Sequence, residues 1–391
     1  MSTSENPTPN RVVIVGGGVA GLEALLALRA LAGDRVELTL VSEHDWFVDR
    51  PVTVAEPFGL ASAARHSLPD IVAERGARFV GATVVAVHPE AHRVTCADGT
   101  ELGYDTLVLA PGAQLRAPGP DAITFGLEGS GQAIEDMLDR LRSGEASSVA
   151  FVAPSTTGWL LPLYELALMT AREVARSNVE GVQLRILSAE DRPLALFGDQ
   201  GSRSVDRLLA AAGIEFVSPT DVALQSVPAD CVVTLPLLGG SELAGVPTTS
   251  PDGFIPVDEF GRVTGIADVY AAGDAVDFPV KQGGLAAQQA DAVAEHIAAG
   301  YGANVDPTAF RPVLRGMLFT GEDAVFMRSG ATGAGSRIGG AWYPLWWPPT
   351  KIAGRYLAPY LFERGEEEEL GRSPAGFVDV DIPLAAMTLP G

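Results

Sequence analysis

Short apolar runs alternate with helical stretches from residue 11 onward. An apolar run at Arg11–Val15 precedes a glycine-rich turn, an Ala/Leu-rich stretch continues to about Leu31, and a second apolar run ends at Glu43. Brief apolar runs bounded by turn residues are typical of buried strands, whereas a longer Ala/Leu-rich stretch is typical of a helix. Strand, helix and strand in this order predict a parallel sheet covered by helices.

The pattern restarts in the middle of the chain and later returns to the first unit. We predict fold class α/β, with two doubly wound, Rossmann-like dinucleotide-binding domains, the second inserted in the first, plus a C-terminal segment. The predicted boundaries are 1–115 and 246–306 for the first, discontinuous dinucleotide-binding domain, 116–245 for the second, degenerate one and 307–391 for the C-terminal segment. The elements expected between and within them are strands near 77–87, 93–96, 104–113, 148–153, 182–190 and 214–218, with helices near 131–143 and 201–212.

The charge and cysteine content narrow the classes of function. A formal net charge of −22 argues against nucleic acid as a partner and against general adhesion to anionic lipid. The two cysteines, Cys96 and Cys231, are far apart and indicate a reducing compartment. Because the sequence has neither an apolar signal segment nor an apolar run long enough to span a bilayer, we expect a cytoplasmic protein.

The first glycine turn has the spacing of a phosphate-binding loop. Gly16 suits a tight turn, Gly18 lets the backbone approach a pyrophosphate, and Gly21 lets the following helix pack closely on the strand. The N–H groups at the start of that helix would face the phosphates. Glu43, which ends the next strand, is placed to bind ribose hydroxyls. The sequence therefore predicts a dinucleotide site.

Three segments together resemble the signatures of the pyridine nucleotide-disulfide oxidoreductase superfamily of flavoproteins. They are VVIVGGGVAGLEALLAL at 12–28, YDTLVLAPGA at 104–113 and VYAAGDAV at 269–276, and the resemblance covers roughly Arg11 to Ala299. It favours the branch that contains type II NADH dehydrogenases and sulfide:quinone reductases. The resemblance implies FAD in the first turn, Asp274 near the ribityl chain or pyrophosphate, and Arg50 and Pro51 near the flavin ring. The cofactor-binding residues it predicts are Gly16, Gly18, Ala20, Gly21, Glu43, Arg50, Pro51, Ala110, Gly112, Gly273, Asp274 and Gly284.

The second turn is an altered version of the first. In its strand-to-strand alignment Ala153-x-Ser155-x-x-Gly158 replaces the glycine triplet, and Pro154 removes one backbone N–H. Pro162 suits a first helical turn, so the helix is expected to begin about four residues late. Glu190 still ends the next strand, as a ribose-binding acid would. Binding of NADH or NADPH by this turn is left open.

Two residues are candidates for the chemistry at the flavin. By the resemblance, Lys281 precedes a helix whose N-terminus points at the flavin's pyrimidine edge, where its charge would stabilise the reduced ring; the alternative is a solvent-exposed lysine. Glu165 is a candidate proton relay, and the alternative is an exposed helix residue. Gln288 and Gln289 resemble the quinone-facing pattern of type II NADH dehydrogenases, where only one of two adjacent side chains can face inward.

The predicted function is FAD-dependent oxidoreduction, in which two electrons pass from a small donor, NADH or NADPH included, through the flavin to a quinone-like acceptor. One alternative is a sulfide:quinone reductase-like enzyme without the cysteine relay, because neither cysteine matches a family motif. A second is a flavin-binding redox sensor or partner protein with little turnover. The aromatic segment Trp342–Phe362 suggests peripheral contact with the inner face of the membrane, the alternatives being a lid over the flavin or a homodimer contact.

Overall fold

Two parallel sheets dominate the computed structural model, which describes residues 9–153, 158–218, 224–249, 252–321, 323–329 and 345–364. The helices are α1 (Val19–Ala32), α2 (Leu68–Glu74), α3 (Ser130–Ser143), α4 (Leu161–Arg176), α5 (Gly198–Ala211), α6 (Gly283–Gly300) and α7 (Leu357–Phe362). The first strands are β1 (Asn10–Val15), β2 (Val36–Ser42), β3 (Trp46–Val48), β4 (Arg65–Ser67), β5 (Arg78–Gly81), β6 (Val84–His88), β7 (Arg93–Cys96), β8 (Glu101–Gly103) and β9 (Thr106–Leu109). The remaining strands are β10 (Gln114–Arg116), β11 (Ile123–Thr124), β12 (Ser148–Val152), β13 (Gln183–Leu187), β14 (Ile214–Val217), β15 (Cys231–Thr234), β16 (Leu237–Gly239), β17 (Val269–Ala271), β18 (Leu314–Phe319) and β19 (Ala324–Ser329).

The first sheet has the doubly wound order β17-β9-β1-β2-β5, and its strands are all parallel. The chain runs from β1 through α1 to β2 on one side of β1, and later adds β9 on the other side. The strand order therefore reverses between β1 and β9. The crevice at the carboxyl ends of these two strands is where open α/β sheets bind their ligands.

The second sheet has the order β11-β15-β12-β13-β14 and parallel strands throughout. Its strands β15-β12-β13-β14 repeat the arrangement of β9-β1-β2-β5, whereas the edge strand β11 comes first in the chain and β17 comes last. Its core joins Phe151, Tyr164 and Val233 to Phe326 of the antiparallel hairpin β18–β19, so this late hairpin packs with the second sheet. The two parallel sheets confirm the predicted α/β fold class of dinucleotide-binding units. The antiparallel ribbon β10–β16 links the regions before and after the second sheet.

One predicted stretch, 77–87, divides between two sheets. Its first part, β5, pairs in parallel with β2, whereas its second part, β6, pairs with β7 in the three-stranded antiparallel sheet β6-β7-β8. Residues 82 and 83 separate the two strands, and the apolar pattern on either side does not distinguish the two pairings. Three further elements differ from the prediction at their ends: α3 begins at Ser130, α5 spans Gly198–Ala211 and β13 ends at Leu187.

The segment 345–364 connects the two cores. Trp346 packs with the second sheet, while Ile352 and Leu357 pack with α1 and α6 on the first sheet. Lys351 lies on the stretch between these two anchors. The chain therefore carries a lysine across the boundary between the two sheets.

Candidate active site

The first glycine turn fits a pyrophosphate closely. Gly16 has φ +109°, and a Cβ added there would lie 2.1 Å from the Ala110 carbonyl oxygen of the neighbouring strand end. A Cβ at Gly21 would lie 1.8 Å from the Gly16 carbonyl oxygen, so α1 can begin this close to the turn only without a side chain. A Cβ at Gly18 would meet no protein atom within 4 Å. Bare backbone therefore faces open space at the start of α1, where helix N–H groups are free to bind an anion.

A cavity of about 1110 Å³ opens from this turn. It exceeds the roughly 300–1,000 Å³ of ordinary small-molecule sites, which leaves room for a dinucleotide and a second reactant. The structure brings most of the predicted site residues together on its wall: Gly16, Gly18, Ala20, Glu43, Glu165, Arg50, Pro51, Ala110, Gly112, Gly273, Asp274 and Lys281. Gly21 and Gly284 are not on the wall, and Gly21 instead makes the helix–turn contact described above.

Asp274 is held at the cavity by its backbone. Gly273 has φ +80°, and its N–H donates to Gln289 Oε1 on α6 at 2.7 Å. Burial raises the pKa of the Asp274 carboxyl, while the charges of Lys281 and Arg50 oppose that shift. Gln289 therefore fixes the Gly273–Asp274 turn. Gln288 donates to the Gly284 and Val313 carbonyl oxygens, so neither adjacent glutamine lines the cavity, which is a correction to the quinone-facing pattern.

Lys281 is half-buried rather than free in solvent. Its ammonium lies 3.8 Å from the centre of the Phe254 ring and donates to the Val276 carbonyl oxygen. Burial lowers the pKa of Lys281 to about 8, although Asp274 and Asp277 act in the opposite direction. The exposed-lysine alternative is therefore wrong. The role of Lys281 at the flavin stays a prediction.

Glu165 forms a buried ion pair with Lys351. The Lys351 Nζ atom lies 2.6 Å from Glu165 Oε1, with side-chain exposures of 5% and 1%. The same oxygen accepts the Phe319 N–H at 2.9 Å, and Glu165 Oε2 has no hydrogen-bond partner among the described residues. Burial raises the pKa of Glu165 against the effect of Lys351, and burial lowers the pKa of Lys351 against the effect of Glu165. The exposed-helix alternative for Glu165 is therefore wrong.

Sequence reasoning did not predict this pairing. In the sequence Lys351 stands within the aromatic segment Trp342–Phe362, and no pattern connects it with Glu165, which lies 186 residues away. One signal was present, because Lys281 and Lys351 are the only lysines of the chain. Both line the same cavity, together with Arg315 and Gln282, which the sequence also did not single out.

The second turn is occupied by contacts within the protein. Helix α4 begins at Leu161 with Pro162 in its first turn, so eight residues (153–160) separate it from β12, against three (16–18) between β1 and α1. Its remaining glycine, Gly158, packs against the Pro279 carbonyl oxygen, which would lie 2.0 Å from an added Cβ. The late helix start is thus observed, while Pro154 and Ser155 lie outside the described residues.

Glu190 of the second unit is turned inward. Its carboxylate accepts the Tyr164 hydroxyl at 2.7 Å and the Ala195 N–H at 3.0 Å. Ser188 completes the group with a contact of 3.3 Å. Burial raises the pKa of Glu190, and these hydrogen bonds oppose the shift. The acid expected to bind ribose is therefore bound to its own domain.

Neither cysteine is placed for chemistry at the cavity. Cys96 on β7 and Cys231 on β15 are buried and free, and neither lines the cavity wall. Burial raises the pKa of both thiols, although Arg140, whose guanidinium lies 3.2 Å from the Cys231 sulfur, opposes the shift there. These two thiols therefore favour the neutral form and do not form a relay.

The aromatic C-terminal segment is described from Leu345 onward, and Trp342 lies outside the described residues. The Trp347 side chain is 47% exposed and packs edge-on against Phe362, with ring centres 5.1 Å apart. Among the described residues, none of the helices has the length and apolar content needed to cross a membrane.

This fold and cavity define a two-unit dinucleotide-binding flavoprotein. The chain belongs to the pyridine nucleotide-disulphide oxidoreductase family, whose model matches residues 10–294. FAD is the cofactor of this family, and the bare glycine turn, the open space at Gly18 and the carboxylates of Glu43 and Asp274 on the cavity wall fit it. The protein is accordingly a flavin-dependent oxidoreductase.

The individual relatives are named for different reactions. An NADH dehydrogenase-like protein of Mycobacterium tuberculosis is 28% identical over 293 residues, covering 68% of this chain and 72% of the relative. A sulfide-quinone reductase of Aquifex aeolicus is 27% identical over 241 residues, covering 59% and 55% of the two chains. The solved sulfide:quinone oxidoreductase of Aquifex aeolicus superposes with a TM-score of 0.73 at 22% identity, covering 82% and 83%.

Proposed function

We propose that this protein passes two electrons from a small donor through FAD to a quinone-like acceptor. The buried Glu165–Lys351 pair carries the proposal, because reduction of a quinone to a quinol consumes two protons as well as two electrons. An ammonium and a carboxyl in contact at a largely apolar cavity wall can deliver protons where bulk water is excluded. Bound FAD supplies the two-electron chemistry.

The residues around this pair suit a flat, apolar acceptor. Trp159, Leu161, Pro162 and Met317 line the same cavity as Lys351. They would hold a ring by apolar contact while Lys351 Nζ donates a hydrogen bond to one of its carbonyl oxygens. Burial raises the pKa of Glu165, so a proton on its Oε2, which has no hydrogen-bond partner among the described residues, can supply the second proton of the quinol while Oε1 stays 2.6 Å from Nζ. Solvent in the cavity then returns one proton to each group.

The altered second turn favours a donor other than a nicotinamide nucleotide bound there. Gly158 contacts Pro279 and Glu190 contacts Tyr164, so both groups that would bind the nucleotide are engaged within the protein. This observation supports the second candidate, a sulfide:quinone reductase-like activity. Such an enzyme would work without a cysteine relay, since Cys96 and Cys231 are buried away from the cavity.

An anaerobic rapid-mixing experiment tests the donor and the acceptor separately. NADH, NADPH and sulfide are each mixed with the oxidised holoprotein, and loss of the visible flavin absorbance reports reduction. A water-soluble quinone is then added, and return of the absorbance reports the acceptor step. We expect reduction by a non-nucleotide donor and rapid reoxidation by the quinone. If no donor reduces the flavin, the enzyme proposal is wrong and the redox-sensor alternative takes its place.

A matched pair of variants on α4 tests the role of the ion pair. Glu165→Gln keeps an oxygen acceptor for Lys351 and Phe319 but cannot exchange a proton, so reoxidation by quinone should slow about 10²-fold. Glu173→Gln, two turns along the same helix, removes a carboxylate that pairs with Arg142 and Arg176 away from the cavity, and should reoxidise normally. Equal rates in the two variants would contradict the proton-delivery role.

We also propose that membrane contact, if the acceptor is membrane-borne, involves Trp347 and Phe362. Their edge-to-face pair forms an exposed aromatic surface on the segment that carries Lys351. Aromatic side chains of this kind favour the bilayer interface. Co-sedimentation with neutral lipid vesicles should weaken in Trp347→Ser, and unchanged sedimentation would argue for a lid or dimer contact instead.

A further inference from the structure

The segment that carries Lys351 has to be fixed before the ion pair can form. Trp346 Nε1 donates to the Thr350 carbonyl oxygen at 3.0 Å, and the Thr350 hydroxyl donates to the Ile352 carbonyl oxygen at 2.7 Å. These bonds are internal to the segment and do not attach it to the FAD-binding unit. The attachment comes a few residues later, at the start of α7.

Glu23 of α1 makes that attachment. It is fully buried, its Oε1 accepts the Tyr356 N–H at 2.7 Å, and its Oε2 accepts the Leu357 N–H at 2.7 Å. Helix α7 has no side-chain cap of its own, so the carboxylate satisfies two N–H groups at its start. A Cβ at Gly354 would lie 2.5 Å from Glu23 Oε2, so only glycine leaves room for the carboxylate at this position.

A second carboxyl group, Asp291 of α6, lies against Glu23. Its Oδ1 is buried and has no hydrogen-bond partner among the described residues. Because both Glu23 oxygens accept backbone N–H groups, the hydrogen bond between the two carboxyls needs a proton on Asp291. Two adjacent carboxyl groups in a buried site retain one proton between them, since both cannot ionise there at low cost.

We propose that Glu23 and Asp291 are positioning residues, a carboxylate–carboxyl pair that shares one proton and holds the C-terminal segment so that Lys351 meets Glu165. The functional part of this proposal rests on the proton-delivery role proposed above. Deprotonation of Asp291 releases one proton to solvent and leaves two negative charges in contact. Their repulsion weakens the hydrogen bonds that Glu23 accepts from the N–H groups at the start of α7.

The charged groups around the pair act in both directions. Burial raises the pKa of Asp291 well above its usual range, and the charges of Glu23 and Glu295 add to this effect. Arg355 opposes it, although its guanidinium is also paired with Glu295 at 2.9 Å. Tyr356 is the remaining titratable neighbour, and burial raises the pKa of its phenol.

The direction of the pH dependence follows from the raised pKa. Between the ordinary pKa of an aspartate and the raised value, the folded chain keeps a proton that the unfolded chain has lost. The contribution to stability is therefore complete at low pH and disappears as the pH rises through the raised pKa. The attachment of the segment should loosen toward alkaline pH.

Hydrogen exchange of the holoprotein tests the attachment without any assay of activity. Exchange of the 345–364 peptides, corrected for the intrinsic pH effect, is measured by mass spectrometry over a pH series. In the unsubstituted protein protection should fall as pH rises. Asp291→Asn keeps an N–H donor toward Glu23 but does not titrate, so its protection should be independent of pH. A pH profile unchanged by Asp291→Asn would overturn the proposal.

Two further variants separate positioning from general stability. Glu23→Gln has only one acceptor oxygen for the two N–H groups, so protection at the start of α7 should fall at least about tenfold at every pH. Glu74→Gln is the control, because Glu74 contacts α7 through the Tyr360 hydroxyl at 2.8 Å and lies away from the pair. It should keep the pH profile, and equal protection in Glu23→Gln and the unsubstituted protein would refute the attachment.

The failure of this inference is distinguishable from failure of the proposed function. If the exchange results are as expected but quinone never reoxidises the flavin, the attachment stands and the acceptor is wrong. If quinone is reduced, the reoxidation rate of the flavin should decline more steeply with pH in the unsubstituted protein than in Asp291→Asn, where only the Glu165–Lys351 pair titrates. A parallel decline in both would remove the positioning role.

Discussion

The two strand–turn–helix units of this protein share the arrangement of four parallel strands, β9-β1-β2-β5 and β15-β12-β13-β14, but differ in what occupies the turn. In the first, glycines leave bare backbone beside open space at Gly18, and the Glu43 side chain is 59% exposed at the cavity. In the second, the turn is longer, Gly158 packs on Pro279, and Glu190 bonds to Tyr164. The comparison shows that the same arrangement of four strands is kept where groups of the protein itself contact the glycine and the acid that a ligand would otherwise contact.

The largest expected effect is at the first turn. Gly18→Val adds a side chain whose Cβ meets no protein atom within 4 Å, so the chain should fold while the pyrophosphate position is blocked. The variant should purify without FAD, as measured by visible absorbance per protein. Gly131→Val, at another glycine with open surroundings, should keep its flavin. Yellow Gly18→Val protein would contradict the assignment of the site.

The next largest difference is expected between variants of Glu43 and Glu190 in their affinity for FAD. Glu43→Gln removes the charge available to ribose hydroxyls and should raise the dissociation constant for FAD about 10- to 100-fold, the cost of losing hydrogen bonds to a charged group. Glu190→Gln should leave this constant unchanged, since its carboxylate does not line the cavity. Titration of apoprotein with FAD, followed by fluorescence, measures both. An equal rise of the dissociation constant for FAD in both variants would contradict the distinction between the two units.

The inward role of Glu190 predicts a change in stability. Tyr164→Phe removes the 2.7 Å hydrogen bond and leaves a buried carboxylate with one partner fewer. The free energy of unfolding should fall by about 1 to 2 kcal/mol, measured by urea denaturation. Retained FAD should stay the same. An unchanged unfolding free energy would show that the carboxylate is solvated and available to a ligand.

The smallest expected effect is a pH dependence of the free energy of unfolding that arises from Lys281, at the contact between the units. Lys281 has a pKa of about 8 in the folded chain against an ordinary value of 10.5. Between these values the unfolded chain holds the proton and the folded chain does not, so the free energy of unfolding rises with pH. Lys281→Met should lack this rise in urea denaturation across the interval. Parallel plots of the free energy of unfolding against pH for Lys281→Met and the unsubstituted protein would mean that the lysine is solvated.

Local pattern predicted the fold and the first turn well, because both depend on residues close in sequence. The β1–α1 glycine spacing and the apolar runs needed no distant partner. The pairing of Glu165 with Lys351 and of Glu23 with Asp291 depends on how helices meet, and nothing near either residue indicates it. The same reason applies to Glu190. Its position at the end of a predicted strand predicts a ribose contact, and only the packing of α4 shows where its carboxylate points.

The only two lysines of this protein line the same cavity. This placement makes its reactivity toward amine reagents unusual. Apart from the chain's own N-terminus, no primary amine lies elsewhere, and the Lys351 side chain is only 5% exposed. Reagents that acylate amines modify many surface lysines on most proteins, whereas here they would modify only the N-terminus and the two cavity lysines. Occupancy of the cavity could thus be followed by simple covalent labelling and mass measurement, with the bound molecules acting as the protecting group.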